Sequence, residues 1–368
     1  AAERALELDP MHCLGANEKL LALAALGGGS ASEWEAERRS ILRGEAQNFL
    51  ELATAYGNAG LYREADAILS EFSQNRSGDA IHPSVNYLRG YYRELAGDAT
   101  GARRFYQAAR KGPVDYTNPH RLEEAAALEA ALRFNPRDSR ARLFLGNLLY
   151  AKGRREEGLR HWESAAANEP GLIHALRNIA YARRHLHNDL AASYEIYRKA
   201  AALKPDDARI LLELDQVAEA LKRPPGERYA ALSTRLETVY SRDDLVARLA
   251  DLRLQRGRPD DLAAVHRDLA SHHFHSWEGK YGIHHAWVEV NQRLGDLAFQ
   301  KRDYAAALQH YRQAGEYPKN LEVAPRTPDF RAHVNWNLAR VYRAMGNPGE
   351  EAKHLKLVLA ETYSRAHL

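Results

Sequence analysis

One cysteine, Cys13, stands in 368 residues. An intrachain disulfide is thereby excluded, as is a zinc site built on cysteine, and such sparing usage suits a reducing compartment such as the cytoplasm. No apolar run approaches the ~20 residues that cross a bilayer as a helix, so no membrane partner is expected. Neither sign of charge is in excess: 52 Lys and Arg against 49 Asp and Glu leave a formal +3. That balance lacks the clustered basic surplus of nucleic-acid binders. β-Branched runs are also scarce, whereas Ala, Leu, Glu and Arg abound, a composition that favours helix almost throughout. The opening AAERALELDP has neither an initiator methionine nor a signal peptide. It reads as the second half of a helix pair, so the chain is expected to be a fragment lacking an upstream domain.

What is present is a repeated unit, clearest from Arg137 to Pro170. Leu145, Gly146 and Leu149 share one helical face, Gly158, Trp162 and Ala165 share another, and Lys152-Gly153-Arg154 hinges them. Small residues sit where two helices must approach and large ones where they interlock. A pair this short cannot bury both faces alone and needs a neighbour of the same shape. Pro136 and Pro170, 34 residues apart, mark the period.

The same pattern recurs at Leu52, Ala53, Tyr56, Gly60, Ala65 and Leu69, then at Gly90, Gly97, Ala102, Tyr106 and Ala109. It returns at Ile179, Ala180, Tyr197, Ala200 and Pro205, at Leu294, Gly295, Tyr304, Ala307, Tyr311 and Ala314, and at Leu338, Ala339, Tyr342, Gly346 and Ala352. These offsets resemble the tetratricopeptide repeat (TPR), a helical pair of 34 residues. The resemblance implies an all-α fold, a right-handed α-α superhelix (a TPR-like solenoid) of about eight to nine helix pairs. Residues 1–270 are read as repeats, irregular over 113–135 and 206–270, followed by a His- and Trp-containing insertion at 271–287 and C-terminal repeats at 288–368. Trp162, Tyr197 and Tyr311 fall at the packing position of second helices and are expected in the core.

A narrower resemblance rests on Asn118-Pro-His-Arg-Leu-Glu-Glu124, Leu145-Gly-Asn-Leu-Leu-Tyr150, Trp162, Arg177-Asn178, Glu213-Leu-Asp215, Arg242-Asp-Asp-Leu245, Phe274-His-Ser-Trp-Glu-Gly279 and Pro318-Lys-Asn-Leu321. The chain is similar there to the C-terminal TPR portion of large bacterial proteins whose upstream half is a β-rich domain of unknown function. In that family the tryptophan motif continues Trp-Glu-Gly-Gly-Glu-Gly, whereas here it reads Trp277-Glu-Gly-Lys-Tyr-Gly282. The resemblance implies an upstream β domain associated with carbohydrate, which sets an alternative function: an accessory helical region of a carbohydrate-active enzyme. In that reading His275, Trp277 and Glu278 contribute to a site shared with the upstream domain, which would carry any glycoside-hydrolase activity.

Candidate chemistry within the chain itself is thin. His272, His273, His275, His284 and His285 cluster with Glu278, but their spacing matches no metal signature and reads as loop packing, so neither a metal nor a cofactor is expected. The acid pairs Glu123-Glu124, Asp206-Asp207, Asp243-Asp244 and Asp260-Asp261 are adjacent residues; at least three sit where a helix starts, as caps. No catalytic residue is identified. The TPR resemblance does imply a concave groove lined by first helices, here through Arg140, Leu143, Phe144, Asn147 and Tyr150, then His174, Arg177, Asn178, Tyr181, Arg184 and His185. Arg and Asn can hold an extended backbone or a carboxylate by forked hydrogen bonds, while Tyr supplies contact area. The carboxylate clamp of chaperone-tail receptors is not reproduced, because Leu143 and Glu213 stand at two of its cationic positions. The expected function is a scaffold that binds a protein or peptide segment, including its own upstream β-rich domain.

Overall fold

A computed structural model describes residues 1–10, 12–27, 30–74, 76, 81–275, 281–322 and 331–365. Every regular element among the described residues is helical, and no strand occurs there. The chain forms two compact units, Ala1–Ile196 and Tyr197–Leu368.

The first unit holds α1 (Ala2–Leu8), α2 (Cys13–Ala25), α3 (Ala31–Leu42), α4 (Ala46–Asn58), α5 (Tyr62–Ser73), α6 (Pro83–Leu95), α7 (Ala99–Ala109), α8 (Leu122–Phe134), α9 (Ser139–Ala151), α10 (Arg155–Asn168) and α11 (Ile173–His185). The division falls within α12 (Leu190–Leu203). The second unit continues with α13 (Ala208–Ala220), α14 (Pro225–Ser233), α15 (Leu236–Tyr240), α16 (Asp243–Arg256), α17 (Pro259–Ser271), α18 (Tyr281–Gln300), α19 (Tyr304–Ala314), α20 (Arg331–Ala344) and α21 (Pro348–Arg365). Among the described residues, consecutive helices pack as pairs at α4–α5, α6–α7 and α9–α10 in unit 1 and at α16–α17, α18–α19 and α20–α21 in unit 2. Within each unit the chain is an all-α stack of TPR-like helix pairs.

The boundaries follow from local chemistry. Asp98, Asp138, Asp207 and Asp303 cap their helices by accepting from backbone N–H groups at 2.8–3.0 Å. Ser30 and Glu33 form a reciprocal capping box at the start of α3. Between α9 and α10, Gly153 adopts φ +89°, where a side chain would be strained, and lets the Arg154 N–H reach back to the Leu149 carbonyl at 2.9 Å.

Helices α9 and α10 cross so closely that a Cβ on Gly146 would stand 2.6 Å from the Trp162 indole and 2.9 Å from the Gly158 carbonyl oxygen. The same aromatic-over-glycine contact joins Gly90 to Tyr106 and Gly295 to Tyr311. Trp162, Tyr197 and Tyr311 are accordingly 4%, 2% and 1% exposed, at the core positions their spacing predicts. In unit 1 the core runs continuously from Leu42 to Ala182. Buried ion pairs staple neighbouring helices as well: Asp66 of α5 accepts from Arg89 at 2.8 Å and Arg93 at 2.9 Å on α6, and Asp215 of α13 accepts two bonds of 2.9 Å from Arg228 and a third from Arg248.

Two places depart from a regular array. Residues 110–121 form no helix, and α8 packs alone on α6 and α9. Thr117 and Pro119 of that connection are buried, while Tyr116, at φ +59°, is 96% exposed. Part of the insertion expected over 271–287 is helical. Ile283, Trp287 and Val290 form a buried helical stripe that starts α18 at Tyr281, and α17 already extends to Ser271.

Candidate functional site

The groove residues divide between α9 and α11, both in unit 1. Leu143 and Phe144 are 0% and 1% exposed and belong to the core, which corrects their assignment to the groove. Their helix face is turned inward by the apolar run Leu143 to Leu145, and Phe144 meets Tyr87 edge-on with ring centres 6.3 Å apart. The other candidates stay at or near the surface, and several meet across the two helices.

Asn147 is the bridge. Its Oδ1 accepts from Trp162 Nε1 at 2.9 Å and from Asn178 Nδ2 at 2.8 Å, so a core indole, α9 and α11 share one acceptor. Both asparagines are therefore positioned by the fold, and their capacity for a ligand is what remains on Asn178 Oδ1 and the Asn147 amide. Tyr150 packs on Trp162 at 4.9 Å and meets Tyr181 edge-on at 6.4 Å. Tyr181 in turn lies 4.3 Å from His185. Burial pushes the Tyr150 hydroxyl pKa up, with the neighbouring Tyr181 adding to it, so the phenol is a neutral hydrogen-bonding group at physiological pH. Tyr181 keeps 41% of its surface open.

The charged members frame this aromatic line. Arg177, Tyr181 and Arg184 lie one helical turn apart on α11 and share its face. At the start of the two helices Arg140 stands 3.2 Å from Glu169, and His174 Nε2 lies 2.8 Å from Asp115 Oδ1. Asp115 comes from the irregular 110–121 connection. No spacing in the sequence announces its arrival beside α11; the only signal was the proline pair Pro113 and Pro119, which marked the segment as non-helical.

The second candidate group behaves differently. Asp243, in the first turn of α16, accepts from His272 Nε2 at 2.9 Å and from the backbone N–H of His275 at 2.8 Å, with His275 Nδ1 at 3.1 Å. Asn320 Nδ2 donates to the carbonyls of Leu269 and His272, both at 2.8 Å, and the Phe274 N–H donates to the Asn320 carbonyl at 2.9 Å. Three stretches distant in sequence, 242–245, 272–275 and 318–321, thus lace together. Among the described residues no group of three His, Cys, Asp or Glu side chains is arranged to hold a metal ion. His284 packs on Tyr317, ring centres 5.1 Å apart. The candidate residues Trp277 and Glu278 lie outside the described residues.

No family model matches the chain. An uncharacterized protein of Treponema pallidum (strain Nichols) is 28% identical over 160 residues, which are 41% of this chain and 42% of that protein. The chain thus matches less than half the length of that relative. Among solved structures it is similar to the C-terminal part of a TPR repeat-containing protein from Cytophaga hutchinsonii, at 12% identity and TM-score 0.37 over 72% of this chain and 93% of that one. It is also similar to MamA from Desulfovibrio magneticus RS-1, at 18% identity and TM-score 0.31 over 54% and 97%. YrrB, described as a TPR protein with an unusual peptide-binding site, is 16% identical with TM-score 0.26 over 57% and 96%.

Proposed function

We propose that unit 1 is a peptide-binding scaffold whose docking face is built by α9 and α11, and that it takes an extended, acidic segment of a protein partner. The observation that carries this reading is the aromatic line Tyr150, Tyr181 and His185 across two neighbouring helices, bordered on α11 by Arg177 and Arg184. Aromatic rings supply rigid contact area at small entropic cost, and guanidinium groups fork onto carboxylates. Asn147 and Asn178, locked by their shared bond, offer amide groups of fixed orientation to a partner backbone.

A fluorescein-labelled peptide of alternating Glu and Leu, titrated into the protein and followed by anisotropy, tests this. Tyr181→Ala and Arg184→Glu should each weaken binding by on the order of tenfold, consistent with a charge-assisted bond or an aromatic anchor. Affinity should also fall as salt rises. A Lys-Leu peptide that binds equally well, or affinity unchanged in both variants, would remove α9 and α11 as the docking face.

A further inference from the structure

Unit 2 has an open cleft of about 330 Å³ between α16 and α18. Ala247, Ala250 and Leu254 line it from α16, and Ile283 and Ala286 from α18. Three of these five are alanines, which leaves the gap that larger side chains would close. Its size sits at the lower end of small-ligand sites, roughly 300–1,000 Å³, too small for a helix and adequate for one long side chain.

Its polar walls are Asp251 on α16 and His285 and Glu289 on α18, and the two carboxylates differ in their partners. Glu289 on α18 is ion-paired with Arg293 at 2.5 Å, and that arginine also donates to the Leu254 carbonyl at 2.6 Å. Asp251 on α16, exposed at the cleft, accepts 2.7 Å from the neutral amide of Gln255, and among the described residues no cation pairs with it. A carboxylate with no cation partner among the described residues, beside an apolar slot, suits a ligand with an aliphatic stem and a positive tip.

We infer that this cleft is a second docking point, specific for a lysine side chain of a partner polypeptide. The four methylenes lie along Ala247, Ala250, Ile283 and Ala286, and the ammonium meets Asp251. An arginine or glutamate in the same slot lacks either the compact tip or the sign of charge. The site is independent of the α9–α11 face, which favours the opposite charge.

The test uses the whole chain, carrying ¹³C-labelled Ala, Ile and Leu methyls, titrated with acetyl-Gly-Lys-Gly-amide. Saturable shifts are expected at Ala247, Ala250, Ile283 and Ala286. The norleucine isostere should bind about three- to fivefold more weakly, as should the lysine peptide to Asp251→Asn, because one ion pair at an exposed carboxylate is lost in each case. Ala286→Phe fills the slot and should abolish the shifts; should that variant fold poorly, the near-isosteric Asp251→Asn at an exposed position still decides. Equal binding of lysine and norleucine, absence of shifts, or indifference to Asp251→Asn overturns the inference. Spermidine binding more tightly than the lysine peptide would overturn the assignment to a polypeptide partner.

Discussion

Replacing Gly146 by alanine adds one methyl group to a mid-helix position, and intrinsic helix propensity alone credits that change with about 1 kcal/mol of added stability. The structure reverses the sign. The new Cβ would lie 2.6 Å from two atoms of the Trp162 indole and 2.9 Å from the Gly158 carbonyl oxygen, whereas ordinary contact starts at 3.4 Å. The indole is fixed on its other side by Tyr150 and by its bond to Asn147, and the Gly158 oxygen is helix backbone, so neither can swing aside. α9 and α10 must separate by roughly 0.5 Å, enough to forfeit about a quarter of the dispersion energy along their contact. Overpacking costs ~1–3 kcal/mol, and with a pinned indole and helix backbone as the blocking atoms the upper end applies; set against the helix credit, the net loss is about 2 kcal/mol. Gly226, in the first turn of α14 with nothing within 4 Å of its Cβ position, is the control: the same substitution there should be neutral or stabilising by up to ~0.5 kcal/mol. Urea midpoints for the two variants, with hydrogen exchange of α9 and α10 to localise the effect, measure both signs. A Gly146→Ala protein as stable as its parent, with α9 equally protected, would refute the claim that close crossing is what places glycine here.

Trp162→Ala removes a 4%-exposed indole and should cost ~3–5 kcal/mol, read as lost exchange protection across α9 and α10 first. Asp215→Asn removes the buried carboxylate shared by Arg228 and Arg248 and leaves both guanidinium groups with Glu219, at 3.2 and 2.7 Å, as their remaining anion; a destabilisation of about 1–3 kcal/mol in unit 2 is expected, and a urea midpoint within error of the parent would show that Glu219 and solvent satisfy them. His266 stacks on Trp287 and meets His310 edge-on at 5.4 Å; burial pulls the pKa of both imidazoles down, and His310 is lowered further by His266. Because their folded values lie below the ordinary ~6.5, the unfolded chain binds more protons as pH falls, so unit 2 is most stable above that value and loses stability as pH drops through the folded values. Urea midpoints between pH 7.5 and 5 should decline less steeply in a His266→Phe, His310→Leu variant; parallel slopes would place the acid sensitivity elsewhere.

The alternation of small and large residues at 34-residue spacing determined the helix pairs, their hinges and the burial of Trp162, Tyr197 and Tyr311, because those features depend on neighbours within one or two turns or across one hairpin. The cap at Asp207, within one of the acid pairs read as helix starts, was legible for the same local reason. Positions 143 and 144 were misread, since a frame assigns a face to a residue type without weighing that Leu and Phe gain more by turning inward. Contacts across long intervals lay beyond the sequence: Asp115 with His174, Asn147 shared by Trp162 and Asn178, Asp243 clasping 272–275, and the alanine-lined slot between α16 and α18. Only tertiary packing brings such groups together, because each depends on how far adjacent helices approach and on where an irregular connection such as 110–121 is laid.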